Sequence, residues 1–484
     1  MGYTIKQKID ICLMSESNPE MTQADLALWT HRKYGTSKPP SQTTISRILS
    51  SKTQLISLKK HEFALIRRRK PSNLVLRNVL QEWISQSIWD GIPVSIPIMQ
   101  HAAHDFWYRL PSDLRQGTGE FNSKWCHQFL HKVNIKLNSL DHHALTTSQH
   151  KIWTFEERVA LQGELSQYNV KDIFSIDEIQ LCYNLPLDNV YYNEYPNFLQ
   201  KKSAIPHVTV MFGINVDGSE RLEPLIVGNY EYERSGGTGY TSAGQSSAGQ
   251  SSAGQSSAKY FERNGITYKS NRKAWLTSTM FYDYLSILDK RLAMTNREIV
   301  ILIDDCSAHK IINVNLMKIK LIVTNSGGDS NSTPAKSFLP FNWGIIEEFK
   351  ILYRLQQYLH MINVQRNSEH HQLLPLTAQQ YRIGLLDCVA WIKRAWDSIP
   401  QATVLACWTY SHVVPPNHLT DLVREHPALS RDPHRKSLEK LRVLIGQLRV
   451  NEVWDVQALL NLAKERKNKI YISNQEIIDV CIVD

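Results

Sequence analysis

Arg297-Glu298-Ile299-Val300-Ile301-Leu302-Ile303-Asp304-Asp305-Cys306-Ser307-Ala308-His309 is the stretch that decides the fold. Ile299 to Ile303 is an unbroken aliphatic run, short enough for a strand and apolar on both of its faces. Such a strand is buried, with cover on either side. It ends in Asp304-Asp305. Upstream, Asp172-Ile173-Phe174-Ser175-Ile176-Asp177-Glu178 reads as a second β-branched and aromatic strand. Residues 207–228 hold two apolar strands joined by Asp217-Gly218, a hairpin turn. Residues 320–325 (KLIVTN) form another strand, and helical spacing falls at 278–292 and 342–362. Strands mixed with helices predict an α/β core, here over residues 150–365. Residues 377–484 carry apolar positions at three- and four-residue spacing and read as packing helices. Residues 235–258 interrupt the core with the repeat SAGQS, which has no apolar anchor. It reads as a flexible, designed tether in place of a natural insertion, without function.

The N-terminal third is different. Ile5, Ile9, Cys12 and Leu13 have helical spacing, and Thr22 caps a second helix over about 22–34 that Gly35 and Lys38-Pro39-Pro40 stop. Ser41 caps a third, SQTTISRILSSK, with Ile45, Ile48 and Leu49 as its apolar stripe. This is a helix-turn-helix pattern over residues 1–58. The third helix presents Ser41, Gln42, Thr43, Thr44, Ser46 and Arg47 to base edges and phosphates. Arg67, Arg68, Arg69 and Lys70, then Pro71, form a basic arm within a linker over 59–72. A second helix-turn-helix unit spans 73–142. Its first helix carries Leu76, Val79, Leu80, Trp83, Ile84 and Ile88, and Ser95 with Pro97 opens its second. The third, with Phe121, Trp125, Phe129 and Leu130 inward, presents Asn122, Ser123, Lys124, His127, Gln128 and Lys132 outward. Two such helices can occupy two adjacent major grooves about 10 bp apart.

Charge supports this division. The chain has 484 residues and a formal net charge of +9, and its first 140 residues hold 19 Lys+Arg against 10 Asp+Glu. The whole basic excess therefore lies in front, where self-repulsion disfavours it unless a polyanion neutralises it. With 42% apolar residues the chain can bury a core, which excludes a disordered or collagen-like protein. No run approaches the ~18 apolar residues of a membrane span, so no membrane role is predicted. Seven scattered Cys without a CxxC pair fit a reducing compartment, cytosol or nucleus. His101/His104 and His127/His131 have zinc-like spacing near Cys126 but form no closed four-ligand set, so neither metal nor cofactor is expected.

Several segments together resemble the pogo/centromere-protein-B family of DNA transposases and their domesticated descendants. They are Glu82-Trp83, Gly91-Ile92-Pro93-Val94-Ser95, Ser123-Lys124-Trp125, Ser175-Ile176-Asp177-Glu178, the block from Leu302 to His309, and Leu339-Pro340-Phe341-Asn342-Trp343-Gly344. Segments such as QEWISQSIWDGIP, WTFEER and SNRKAWLTS resemble the family's regulators of pyruvate decarboxylase and thiamine-metabolism genes. The resemblance implies two helix-turn-helix domains, then an RNase H-like core of the kind found in DDE transposases, then a helical C-terminal part. It further implies pyruvate decarboxylase and thiamine genes as targets and a longer natural C-terminus with an activation segment. A nuclear transcription regulator of double-stranded DNA is expected, with a homodimer and a thiamine-sensing co-regulator as further candidate partners.

Transposases of this kind hold two divalent ions with three carboxylates. The matching positions here are Asp177, Asp304 and Asn342, and the neutral Asn removes a charge from the set. A catalytically inactive, vestigial site is therefore expected, with Asp177 and Asp304 as structural groups. Asp305, Glu347 and Glu348 lie close in sequence but off the motif position. Two other readings are an active transposase or endonuclease and a centromere-type chromatin protein.

Overall fold

The computed structural model describes residues 3–56, 73–89, 92–133, 155–185, 206–229, 261, 264–309, 315–324, 339–370, 383–425, 434–450, 453–462, 465 and 473–482. The basic arm from Arg67 to Lys70, His142, His143 and the repeat lie outside them.

The first unit holds α1 (Ile5–Ser17), α2 (Gln23–Tyr34), α3 (Gln42–Ser50) and the short α4 (Lys52–Ile56). Thr4 and Thr22 close reciprocal capping boxes with Gln7 and Asp25, and Gly35 ends α2 at φ +59°, a left-handed turn that favours glycine. Ile9, Ile11, Cys12, Leu26, Ile45 and Ile48 fill its core. The second unit holds α5 (Leu74–Trp89), α6 (Ile96–Arg109) and α7 (Ser123–Lys132) around Leu80, Ile84, Ala103, Phe106, Cys126 and Phe129.

A six-stranded sheet forms the centre. Its strands are β1 (Ile173–Cys182), β2 (His207–Asn215), β3 (Leu225–Gly228), β4 (Thr267–Ser270), β5 (Ile299–Asp304) and β6 (Ile319–Thr324), in spatial order β4-β3-β2-β1-β5-β6. β1–β2 and β2–β3 are antiparallel, whereas β1–β5 and β5–β6 are parallel. This is the RNase H-like arrangement, extended by β4 parallel to β3 at one edge. Every residue of β5 is buried, as an unbroken aliphatic run requires.

Helix α9 (Ser278–Thr295) covers one face, where Phe281 and Leu285 meet Phe174, Ile176, Ile301 and Ile303. Helices α10 (Ile345–His370), α11 (Leu385–Asp397) and α12 (Gln401–Ser411) cover the other, with Phe349, Trp396 and Trp408 against Phe212, Val300 and Leu302. Beyond β1, α8 (Phe155–Leu165) precedes the sheet; α13 (Pro416–Glu425), α14 (Arg435–Ile445), α15 (Val456–Leu460) and α16 (Asn474–Cys481) follow.

The C-terminal helices are shared among the other layers instead of forming a separate layer. Ile477, Ile478, Val480 and Cys481 of α16 enter the core of the second helical unit. Glu465 is 4% exposed and closes a buried knot at the end of β1. Its carboxylate accepts from Arg354 Nη2 at 2.5 Å and the Cys182 amide at 2.9 Å, and pairs with Lys350 Nζ at 3.0 Å.

Helix α9 also connects the units. Ile287 packs on the core of the first unit, and the Lys290 ammonium donates to the carbonyl of Ile56. At its other end, the Ser278 amide and hydroxyl donate to Glu82 of α5 at 2.9 and 2.8 Å.

Candidate nucleic-acid interface and strand-end acidic cluster

The third helix of each front unit turns an apolar stripe inward and leaves short polar and basic side chains outside. On α3, Ile45 and Ile48 are buried, while Gln42, Thr43 and Arg47 are exposed and Ser46 is half-buried. On α7, Cys126, Phe129 and Leu130 are buried, while Ser123, Lys124, His127, Gln128 and Lys132 are exposed. Arg47 and Lys124 enter no ion pair among the described residues, so each keeps its charge for an outside partner.

Three of the expected contact residues also have structural duties. Ser41 Oγ accepts the Thr44 amide at 3.3 Å and lies 2.9 Å from Thr44 Oγ1. Asn122 Oδ1 accepts the Trp125 amide at 2.9 Å. Caps satisfy amide donors that the first turn leaves orphaned, so these side chains stabilise the helix start whether or not DNA is bound.

At the sheet centre, β1 and β5 run parallel with Ser175 opposite Leu302. Two residues further along each strand stand Asp177 and Asp304, 0% and 3% exposed. Asp304 is engaged by His309, which follows on the 3-10 turn Ser307–His309. His309 Nδ1 is 2.7 Å from Asp304 Oδ1 and Nε2 is 2.9 Å from Glu178 Oε2. Phe281 lies against its ring at a centroid distance of 4.6 Å. Cys306 Sγ sits 3.5 Å from Glu178 Oε1. Donor atoms of Glu178, Asp304, Cys306 and His309 all lie within 4.8 Å of one another.

The electrostatics of this cluster are shared. Burial would raise the Glu178 carboxyl, but the neighbouring His309 holds it below the usual carboxylate range. Burial and the charge of Glu178 push Asp304 up. Burial works against protonating His309, yet Cys306, Glu178 and Asp304 override it and hold the imidazole well above its usual value. Burial, with Glu178 beside it, pushes the Cys306 thiol up to about 12. The acidic neighbours therefore favour the protonated imidazole, while Asp304 gives up part of its own acidity to Glu178 and burial.

The third position of a nuclease site is a neutral residue. Asn342 lies on the 3-10 turn Pro340–Trp343, exposed, with Leu339 and Phe341 buried on either side of Pro340. Glu348 is no substitute: its carboxylate accepts from His434 Nδ1 at 2.8 Å and from Ser437 Oγ at 2.7 Å. Glu347 points to solvent. A site for two hard divalent ions needs convergent oxygen charge. Here one carboxylate pairs with an imidazole, the third position is a neutral Asn, and a nearby glutamate is tied elsewhere.

Sequence reasoning quoted Glu178 and His309 only as parts of a motif and assigned them no role. The signal was the five-residue spacing from Asp304 to His309 across a strand end, which lets the imidazole fold back on Asp304 and β1. The zinc-like spacings at His101/His104 and His127/His131 bring no set of three donors together among the described residues.

The DDE superfamily endonuclease family matches residues 206–408, and the Tc5 transposase DNA-binding domain matches residues 73–139. The chain is transposase-derived. It is similar to Protein PDC2 of Candida albicans, 39% identical over 531 residues, covering 100% of this chain and 64% of that protein. Protein PDC2 of Saccharomyces cerevisiae is 38% identical, with 99% of this chain and 52% of that protein covered. CENP-B homolog protein 1 of Schizosaccharomyces pombe is 24% identical, with 96% and 83% covered. The chain thus spans between half and two thirds of the two PDC2 proteins. The DDE match includes Asp304 and Asn342, and the Tc5 match includes all of α5, α6 and α7.

Proposed function

We propose that the chain is a nuclear, sequence-specific regulator of transcription that binds double-stranded DNA and does not cut it. The observation that carries the reading is the pair of outward faces on α3 and α7, in the part of the chain that holds the whole basic excess. In this reading Gln42, Thr43, Ser46 and Arg47 meet one major groove. Ser123, Lys124, His127, Gln128 and Lys132 meet an adjacent one. Ser41, Thr44 and Asn122 fix the helix starts and contact the backbone, and Arg67 to Lys70 bind phosphates or a minor groove. The units are taken as 1–58 and 73–142, with the core over 150–365 and the helical part over 377–484. The targets we propose, pyruvate decarboxylase and thiamine-metabolism genes, follow from the segments QEWISQSIWDGIP, WTFEER and SNRKAWLTS; the partners proposed beside DNA are a second copy of the chain and a thiamine-sensing co-regulator.

Selection of bound duplexes from a random pool, followed by gel shifts over a salt series, tests this. Binding falls steeply with salt and requires residues of both units. Equal binding by residues 150–484 alone overturns it.

The buried Asp177 and Asp304 on the paired strands β1 and β5 support a second reading, an active endonuclease. It requires Mg²⁺- or Mn²⁺-dependent nicking of plasmid DNA that Asp177→Ala abolishes. Absence of nicking ends it. The kinship with CENP-B homolog protein 1 supports a third, chromatin role, which genome-wide occupancy of repeats in place of promoters would reveal.

A further inference from the structure

We propose that Glu178, Cys306 and His309 form a binding site for a zinc-class metal ion, with Asp304 orienting His309 from its other ring nitrogen. This site differs from the carboxylate trio of nuclease chemistry in its donor chemistry, although Asp304 borders both. Its donors are one thiol sulfur, one imidazole nitrogen and one carboxylate oxygen. Sulfur and imidazole select borderline ions such as Zn²⁺, whereas hard Mg²⁺ prefers an all-oxygen set.

The geometry suits a tetrahedral ion. With Zn–N and Zn–O near 2.1 Å and Zn–S near 2.3 Å, neighbouring donors lie roughly 3.3–3.6 Å apart. His309 Nε2 and Glu178 Oε2 are 2.9 Å apart, and Cys306 Sγ and Glu178 Oε1 are 3.5 Å apart. All four groups converge within 4.8 Å. The two contacts use different oxygens of Glu178, so the carboxylate turns and the His309 contact lengthens as the three donors close on one ion.

Asp304 supplies what a ligating imidazole ordinarily has, a carboxylate on the nitrogen facing away from the metal, here at 2.7 Å. Phe281 against the ring and the Cys306 carbonyl accepting the His309 amide at 3.2 Å fix the orientation further. Glu178 and Cys306 are half-buried at the rim of the cluster, while Glu178 Oε2 and His309 Nε2 are themselves buried, so an ion enters by displacing the Glu178–His309 contact. Charge is conserved as well. One divalent ion replaces two protons, from Nε2 and Sγ, and the released protons pass to water. Three protein ligands leave the fourth position to water.

The consequence is mechanical. An ion here ties the Ser307–His309 turn to β1. That turn touches α5, because Ser85 Oγ donates to the Ser307 carbonyl at 3.4 Å. The metal would stiffen the seat of the second DNA-binding unit on the core.

The test uses the full chain stripped with a chelator and titrated with Co²⁺ and then Zn²⁺. Expected are one equivalent bound, visible bands of tetrahedral cobalt with a thiolate charge-transfer band, and displacement by Zn²⁺. Cys306→Ser loses the charge-transfer band. Asp304→Asn keeps it but binds Zn²⁺ about 10–100-fold more weakly. Circular dichroism establishes that each variant is folded. Absence of saturable uptake by the wild-type chain overturns the proposal whatever the variants do. So does a charge-transfer band that survives in folded Cys306→Ser.

Discussion

Glu82 of the second helical unit accepts both the amide and the hydroxyl of Ser278, at 2.9 and 2.8 Å, at the first turn of α9. Its side chain is fully buried and also takes a 3.4 Å hydrogen bond from Gln86. A carboxylate at a helix N-terminus meets orphaned amides and the positive end of the helix dipole. The DNA-binding unit is therefore fixed to the RNase H-like core through a polar contact inside an apolar seam.

This contact has a pH signature. Burial raises the Glu82 carboxyl more than its hydrogen bonds lower it. A raised folded value means that the folded state holds the proton more tightly than the unfolded chain. The stability so gained is complete below the unfolded value, about 4.3, and is lost as pH rises through the higher folded value. Glu82→Gln removes this component. Melting temperatures recorded across that window should fall less steeply with pH in the variant; parallel curves would reject the assignment.

The knot at Glu465 predicts a larger loss. Arg354 is fully buried, and its guanidinium has Glu465 as its carboxylate partner, with Gln357 and the Cys182 carbonyl accepting its other hydrogen bonds. Glu465→Ala strands that charge and should cost roughly 3–5 kcal/mol in denaturant unfolding. A loss below about 1 kcal/mol would show that Arg354 finds another partner.

Helix α16 should be required for the second unit. Ile478 is 0% exposed in the core of α5, α6 and α7. Ile478→Ala should destabilise by about 2–5 kcal/mol. Hydrogen exchange should show the loosening in α5 to α7 before it reaches the sheet. Uniform loosening would mean that the unit has no separate dependence on α16.

Capping and contact residues should separate by assay. Asn122→Ala loses a cap and should lower stability by ~1 kcal/mol, with weaker DNA binding as a consequence. Lys124→Ala should leave the melting temperature unchanged and reduce the salt slope of binding by about 0.9, the value for one phosphate contact. Arg47→Ala should behave likewise, with an added ~1–3 kcal/mol at one base position if Arg47 reads a guanine. Equal melting and binding losses in all three would reject the division.

Periodicity carried the helices and strands into view. Ile5, Ile9 and Leu13, or Ile45 and Ile48, can be buried together on one helix face only at that spacing, and the run Ile299–Ile303 suits only a strand covered on both sides. Capping followed the same local logic at Thr22, Ser41, Ser95 and Asn122. The outward faces of α3 and α7 are what remains once the apolar stripe is placed.

Contacts between distant segments were not legible. Glu82 reads as a polar helix residue, yet α5 is buried on two sides because α9 lies across it. Glu465 and Arg354 are 111 residues apart, and no local pattern pairs them. His309 reads as a loop histidine until the turn after β5 folds it between Asp304 and Glu178. The amino-acid order settled which residues form helices, strands and caps, because backbone hydrogen bonding and apolar spacing act within a few residues. The packing of the layers settled which polar groups are buried and what they meet, because that burial depends on surfaces brought together from opposite ends of the chain.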